Sequence, residues 1–170
     1  NLLLAVNEET MSELNELLLV FDARAQHLDK VIQPALSKGK WVVCDRFTDA
    51  TFAYQGAGRG LSVETIGQLQ LLVQGQLRPD LTLILDLDPE IGLARASNRG
   101  ELDRFELEQQ SFFRQVRQGY LDIAQAEPAR CKVIDASKPL TDVKLDLLTA
   151  YVPGRSRIAS SKYSLDDTLS

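Results

Sequence analysis

An aspartate and an arginine, Asp45 and Arg46, directly follow an apolar run at residues 41–44. The run predicts a buried strand, and open α/β sheets hold their ligands at the carboxyl ends of such strands. A carboxylate suits a hydrated Mg²⁺, whereas a guanidinium suits a phosphate group. The pair therefore predicts a phosphate site used for phosphoryl transfer. The alternatives are an ion pair between Arg46 and Asp49 and a salt bridge of Asp45 with its neighbours.

The helix before this pair is predicted from a capping signature and from apolar periodicity. Thr10 and Glu13 fit a capping box, and apolar residues then recur at steps of three and four. The helix is expected to end near Lys38, with a kink at Pro34 and a left-handed cap at Gly39. This helix would stand directly before the strand at 41–44.

The rest of the chain alternates between predicted helices and strands. The elements are a flexible loop at 56–60, a helix from Ser62 to 78–80, a strand at 81–88, a short helix from Asp88-Pro89 to Arg99, a helix from Asp103 to Ala126, a strand at 131–135 and a helix from Pro139 to Tyr151. The alternation predicts βα units and an α/β fold with a mainly parallel sheet.

Composition narrows the class of protein. The 170 residues predict one domain at 1–152, and residues 153–170 lose the apolar period and are expected to form a flexible tail. A net charge of −5 argues against a general nucleic-acid binder, and no apolar run is long enough for a membrane span. Cys44 and Cys131 are expected to be thiols rather than a disulfide, as in a cytoplasmic protein.

Several motifs, in their order and spacing, resemble bacterial thymidylate kinases over about residues 1–151. They are residues 45–56, Gly58-Arg59-Gly60-Leu61, Arg78-Pro79-Asp80-Leu81-Thr82, residues 85–87, residues 99–106, the helix at 17–27 and Asp135-Ala136. The resemblance implies a P-loop NTPase-like three-layer fold. It also implies transfer of the ATP γ-phosphoryl group to dTMP with Mg²⁺, and a homodimer formed through helices 11–38 and 63–77.

The resemblance implies roles for individual residues around the acceptor nucleotide. Arg46 would contact its phosphate, and Asp45 would hold Mg²⁺ through water. Arg24 would reach a thymine carbonyl, and Phe21 would stack on the base. For Phe21, a plain core role is the alternative, because it also fits the apolar stripe of its helix.

Three more residues complete the implied acceptor pocket. Thr51 and Gln55 would hydrogen-bond the thymine edge, and Tyr54 would pack near the sugar and disfavour a 2′-hydroxyl. From the residues alone, a Thr and a Tyr spaced by three are better explained as part of a helix surface.

Three arginines flank the break at Gly100 and would belong to a mobile lid: Arg95, Arg99 and Arg104. Arg99 is the one expected to act in catalysis, because charge on the transferring phosphoryl group needs neutralising after closure. The alternative is a solvated face with acidic partners. His27, the single histidine, is expected to be structural, and Asp86 to stand at a strand end near the phosphates.

Two motifs of such kinases are absent from the sequence. It contains no Gly-x-x-x-x-Gly-Lys-[Ser/Thr] run and no Arg-Glu-Pro-Gly segment. The chain is therefore expected to lack the first βαβ unit, whose strand would lie between 41–44 and 81–88, and to be poorly stable and inactive alone. The alternative functions are a kinase for another pyrimidine nucleotide and a non-catalytic nucleotide-binding or dimerising remnant.

Overall fold

The computed structural model describes residues 11–96 and 104–155. The helices and strands of these ranges are α1 (Glu13–His27), a π-helical turn (Leu28–Ile32), α2 (Gln33–Leu36), α3 (Thr48–Thr51), a π-helical segment (Phe52–Gly58), α4 (Val63–Gln74), β1 (Thr82–Asp86), α5 (Pro89–Ala96), α6 (Arg104–Ala126), β2 (Cys131–Asp135) and α7 (Leu140–Arg155).

The sheet of the described residues consists of β1 and β2, which run parallel. Thr82 lies opposite Cys131 and Asp86 opposite Asp135. The Ala136 N–H extends the ladder by donating to the Asp86 carbonyl at 2.8 Å. The two strands are joined through α5 and α6, as parallel neighbours require. The prediction of an α/β fold with a parallel sheet is confirmed, and β2 has the predicted bounds.

The predicted buried strand at residues 41–44 is wrong. The segment is irregular, with Trp41 61% and Val43 96% exposed. A strand needs a hydrogen-bonding neighbour, and neither β1 nor β2 pairs with this segment. Trp41 instead packs its ring against Tyr151 of α7, with the ring centroids 5.9 Å apart. An apolar run alone was therefore insufficient to form a strand.

The N-cap of α1 lies two residues later than predicted. Ser12 is the N-cap, and its hydroxyl accepts from the Asn15 N–H at 3.3 Å, whereas Thr10 lies outside the described residues. The helix passes through a π-helical turn just before Pro34, the position of the predicted kink. Gly39 adopts φ 68°, so the predicted left-handed end is confirmed.

The predicted loop at 56–60 is wrong for its first three residues. They continue the helical segment that starts with α3, and this segment packs closely on α6. A Cβ on Gly58 would lie 2.6 Å from the Phe112 ring and 2.8 Å from Val116 Cγ2, while one on Gly119 would lie 2.7 Å from Ala57 Cβ. These glycines allow two helices to touch.

Most other boundaries follow the predicted signals. The Ser62 hydroxyl caps α4 by accepting from the Thr65 N–H, and Asp88 caps α5 by accepting from the Glu90 N–H. The predicted end of α4 at 78–80 is wrong, because the helix stops at Gln74. Helix α7 continues beyond Tyr151 to Arg155.

Two apolar clusters form the core of the described ranges. Leu17, Phe21 and Ile66 join α1 to α4, whereas Ile84, Ala124 and Cys131 join the sheet to α6. Cys131 is buried, Cys44 is partly buried, and both thiols are free, as predicted. The segment that carries α3 lies between these clusters, because it packs on both α4 and α6.

We expect Gly58→Ala to destabilise the protein by about 1–3 kcal/mol, because the added methyl group meets α6 at a distance that forces atoms apart. Urea unfolding at 25 °C measures the change. Gly67→Ala is the matched control: it lies within α4, its Cβ would meet nothing within 4 Å, and it should gain about 0.5–1 kcal/mol. Equal effects of the two substitutions would contradict the close contact.

Candidate active site

The last turn of α1 and the start of α3 meet at Arg24. Its Nη2 donates to the Phe47 carbonyl at 3.2 Å and to Thr51 Oγ1 at 2.9 Å. Thr51 is 1% exposed, so its hydroxyl is fixed by this contact. The structure thus brings together two residues predicted for the base pocket, Arg24 and Thr51, which lie 27 positions apart.

The other end of the Arg24 guanidinium has no partner. Among the described residues, Arg24 Nη1 is the buried side-chain polar atom without a hydrogen bond. The guanidinium carbon lies 5.0 Å from the centroid of the Phe21 ring and 5.3 Å from that of Phe47. Burial lowers the pKa of Arg24 from its usual value. A buried donor without an acceptor is costly, which makes this atom a candidate ligand contact.

Phe21 lies in the apolar core, which is the alternative that the sequence left open for it. It is 2% exposed and packs against Leu17 and Ile66 in the core. Stacking of a base on Phe21 stays a prediction. The partly buried Phe47 ring packs against the same guanidinium. A role for Phe47 in the base pocket was not predicted from the sequence.

Arg46 stands apart from its neighbours in backbone geometry. Its φ of 59° is the single positive value among the described non-glycine residues. Such a conformation is uncommon for a residue with a side chain, and it clusters at functional sites. The Arg46 guanidinium carbon lies 4.9 Å from the centroid of the Tyr54 ring. The exposed side chain is therefore held beside Tyr54.

The alternative for Arg46, an ion pair with Asp49, does not form. Asp49 is bound by Arg130, whose Nη1 lies 2.6 Å from Asp49 Oδ2. Because Arg130 occupies this carboxylate, Asp49 does not neutralise the Arg46 guanidinium. Arg130 was missed from the sequence, since no local pattern links positions 49 and 130.

Gln55 lies away from Arg24. Its amide nitrogen donates to Glu16 Oε1 at 2.8 Å, and Arg59 lies 3.8 Å from the other Glu16 oxygen. Glu16 stands two turns before Arg24 on α1. Hydrogen bonding of Gln55 to a base edge stays a prediction, and its present contact was not predicted.

A cavity of about 360 Å³ opens between β1, α5 and α6, next to these residues. Asp86, Arg117, Tyr54 and Tyr120 lie in its wall. Arg117 Nε and Nη2 donate to the two Asp86 carboxylate oxygens at 2.7 and 2.9 Å. This hydrogen bonding raises the pKa of Arg117. Burial, followed by Tyr54, raises the pKa of Tyr120 to about 12, so Tyr120 remains a neutral phenol. Asp86 ends its strand as predicted, although its partner Arg117 was missed.

The remaining predicted residues lie at the edge of this region or beyond it. Asp45 is exposed and makes no ion pair with a described residue. No cluster of three metal-binding side chains occurs in the described ranges. Arg99 lies outside them, whereas Arg95 belongs to α5 and Arg104 is the first residue of α6. His27 is exposed at the end of α1.

Comparison with known proteins decides the family. The family model described as thymidylate kinase matches residues 1–147. The chain belongs to the thymidylate kinase family. Thymidylate kinase of Pseudomonas putida strain W619 is 60% identical over 153 residues, which cover 90% of this chain and 73% of that protein. The enzyme of Teredinibacter turnerae is 57% identical, with 88% and 73% covered.

A solved thymidylate kinase gives the same result in three dimensions. The crystal structure of the Ehrlichia chaffeensis enzyme has a TM-score of 0.67 and 33% identity, and the match covers 84% of this chain and 68% of that one. The predicted thymidylate kinase resemblance and P-loop kinase fold are confirmed, and this membership makes the chain a phosphotransferase. In the described residues, no helix is long and apolar enough to cross a membrane.

We expect Arg46→Gly to be more stable than Arg46→Ala by about 1–2 kcal/mol, because glycine carries no Cβ penalty at positive φ. Thermal and urea unfolding of the two variants measure the difference. The same pair at Arg114, on the exposed face of α6, should show the opposite order by about 1 kcal/mol. The same order at both positions would contradict a left-handed backbone at Arg46.

Proposed function

We propose that this chain supplies, through α1 and α3, the dTMP-binding side of thymidylate kinase chemistry, the transfer of the ATP γ-phosphoryl group to dTMP to give dTDP. The observation that carries the proposal is the unpaired Nη1 of Arg24 beside Thr51. A pyrimidine carbonyl oxygen would satisfy this donor. The two flanking rings, Phe21 and Phe47, shield the guanidinium from water, which strengthens such a contact.

The direction of the hydrogen bond distinguishes between pyrimidines. Thymine and uracil offer a carbonyl oxygen at position 4, whereas cytosine offers an amino group there. An amino group facing Arg24 Nη1 would place two hydrogen-bond donors against each other, with no acceptor for either. The site therefore favours dTMP over dCMP, and a pocket that buries polar groups rejects the mismatched analogue strongly.

The acceptor phosphate is assigned to Arg46. Its guanidinium is exposed beside Tyr54, and its expected competitor Asp49 is paired elsewhere. A guanidinium fork binds a phosphate through two parallel hydrogen bonds. Tyr54, which also lines the cavity, would then lie between phosphate and base, where the deoxyribose must be.

The donor side is assigned to residues that act by charge. Mg²⁺ bound with ATP would neutralise phosphate charge, and the exposed Asp45 would hold it through water, in keeping with the few protein ligands that Mg²⁺ takes at phosphate sites. Arg95, Arg99 and Arg104 would neutralise the transferring group from the lid. The free thiols fit the reducing cytoplasm.

A homodimer is proposed through α1 and α4. These helices pack on each other and leave apolar side chains outside: Leu14, Leu18, Val63, Leu71 and Leu72. Leu72 is 81% exposed. Contiguous exposed apolar residues mark interaction sites, and a twofold axis would place the same helices face to face.

Calorimetric titration tests the base assignment. We expect dTMP to bind about 10- to 100-fold more tightly than dCMP, the size of one unsatisfied buried donor. Arg24→Met removes the donor, so the preference should fall to less than about threefold.

The control is Arg114→Met, which removes an exposed arginine that pairs with Glu90 of α5. It should leave the preference unchanged. Equal affinity of the unaltered chain for dTMP and dCMP would refute the role of Arg24. A coupled assay with ATP and Mg²⁺ then reports turnover separately from binding.

Sedimentation velocity tests the dimer. We expect Leu72→Glu to raise the dimer dissociation constant by at least about tenfold, because it places a charge in a desolvated apolar interface. Leu148→Glu is the matched control, since Leu148 is 61% exposed on α7. An equal effect of both substitutions, or none of either, would argue against this interface.

A further inference from the structure

Arg130 connects three parts of the chain in front of β2. Its Nη1 and Nη2 donate to the two Asp49 oxygens at 2.6 and 3.0 Å. Nη1 also reaches Thr82 Oγ1 at 2.7 Å, and the remaining donors bind Glu127. The Thr82 hydroxyl in turn donates to Asp49 Oδ2 at 2.9 Å. The first turn of α3 is thereby fixed to the sheet.

The contact is well shielded. The Arg130 side chain is 12% exposed and that of Asp49 is 15% exposed. Hydrogen bonding to Asp49 is the largest cause that raises the pKa of Arg130. A bidentate pair with this little water is more persistent than a surface ion pair.

Asp49 lies close to Arg46, the residue proposed to bind the phosphate. Asp49 follows Arg46 by three residues and lies on the first turn of α3. Arg46 stands two residues before the first residue of α3, so the two charges lie within one short stretch of chain. An unpaired Asp49 carboxylate would compete with phosphate for Arg46 and would repel the phosphate itself.

We propose that Arg130 is a positioning residue for the acceptor-phosphate site: it withdraws the Asp49 carboxylate from Arg46. The inference rests on the proposed function, in which Arg46 binds the phosphate of dTMP. Arg130 never contacts the nucleotide, and its effect is confined to the charged end of the ligand. Thymidine, which has the same base and sugar without the phosphate, is therefore the discriminating probe.

The test compares dTMP and thymidine binding by calorimetry in the full chain. For Arg130→Gln we expect dTMP affinity to fall about tenfold, the size of one charge pair several ångströms apart near a surface. Thymidine affinity should stay within about twofold. The double variant Asp49→Asn with Arg130→Gln removes the released carboxylate, so dTMP affinity should return to within about threefold of the unaltered chain.

Arg114→Gln is the matched control and should change neither affinity. If Arg130→Gln does not fold, Thr82→Val replaces it. This isosteric change removes one partner of Asp49, and it should weaken dTMP about threefold without affecting thymidine.

Each outcome of these titrations either supports or overturns the positioning role of Arg130. Loss of dTMP and thymidine affinity together, or a double variant no better than Arg130→Gln, means that Arg130 only stabilises the fold and overturns the inference. An unaltered chain that binds thymidine but gains nothing from the phosphate removes the Arg46 assignment and the inference with it. A chain that binds neither ligand refutes the proposed function.

Discussion

The geometry of the site depends on how α3 and its π-helical continuation are held by two arginines from outside the segment. Arg24 reaches from α1 to the Phe47 carbonyl and Thr51, and Arg130 reaches from the sheet side to Asp49. The contacts lie within five residues of chain. Each guanidinium offers several donors in a rigid plane, so a single side chain fixes both position and orientation.

Close packing against α6 supplies the second constraint on the same segment. Gly58 and Gly119 leave no space between the helices, and Tyr54 places its ring edge against Phe112 and Tyr120. A π-helical segment carries an extra residue per turn, and such segments are frequent at functional sites. Here it widens the helix where Tyr54 and Gln55 leave it in different directions, one toward the cavity and one toward Glu16.

How much the sequence revealed depends on the range of the interaction. Local signals succeeded: Ser62 and Asp88 cap their helices, Gly39 is left-handed, and β2 has the predicted ends. Prediction failed where a distant partner decides. The run at 41–44 has strand composition but pairs with neither β1 nor β2. Ala57 and Gly58 were taken for a loop because their contact, α6, lies more than 50 residues away.

In the candidate site, too, the contacts that the sequence did not predict are those between distant residues. Arg24, Arg46 and Thr51 were predicted because the family motif contains them, and the structure brings Arg24 and Thr51 into contact. Arg130, Glu16 and Arg117 were missed, since each acts on a residue at least 31 positions away. Nothing in the composition of a single sequence distinguishes these charges from solvated ones.

The arginines of the site differ in how completely they are paired, and this difference orders their roles. Arg130 has every donor group directed at a carboxylate or hydroxyl, so it has nothing left for a ligand. Arg24 is satisfied at Nη2 and unsatisfied at Nη1. Among the described residues, Arg46 packs on the face of Tyr54, a contact that does not use its N–H donors. Because an unpaired guanidinium gains most from an anion, this order of pairing agrees with the proposed roles: Arg130 in structure, Arg24 in base binding and Arg46 in phosphate binding.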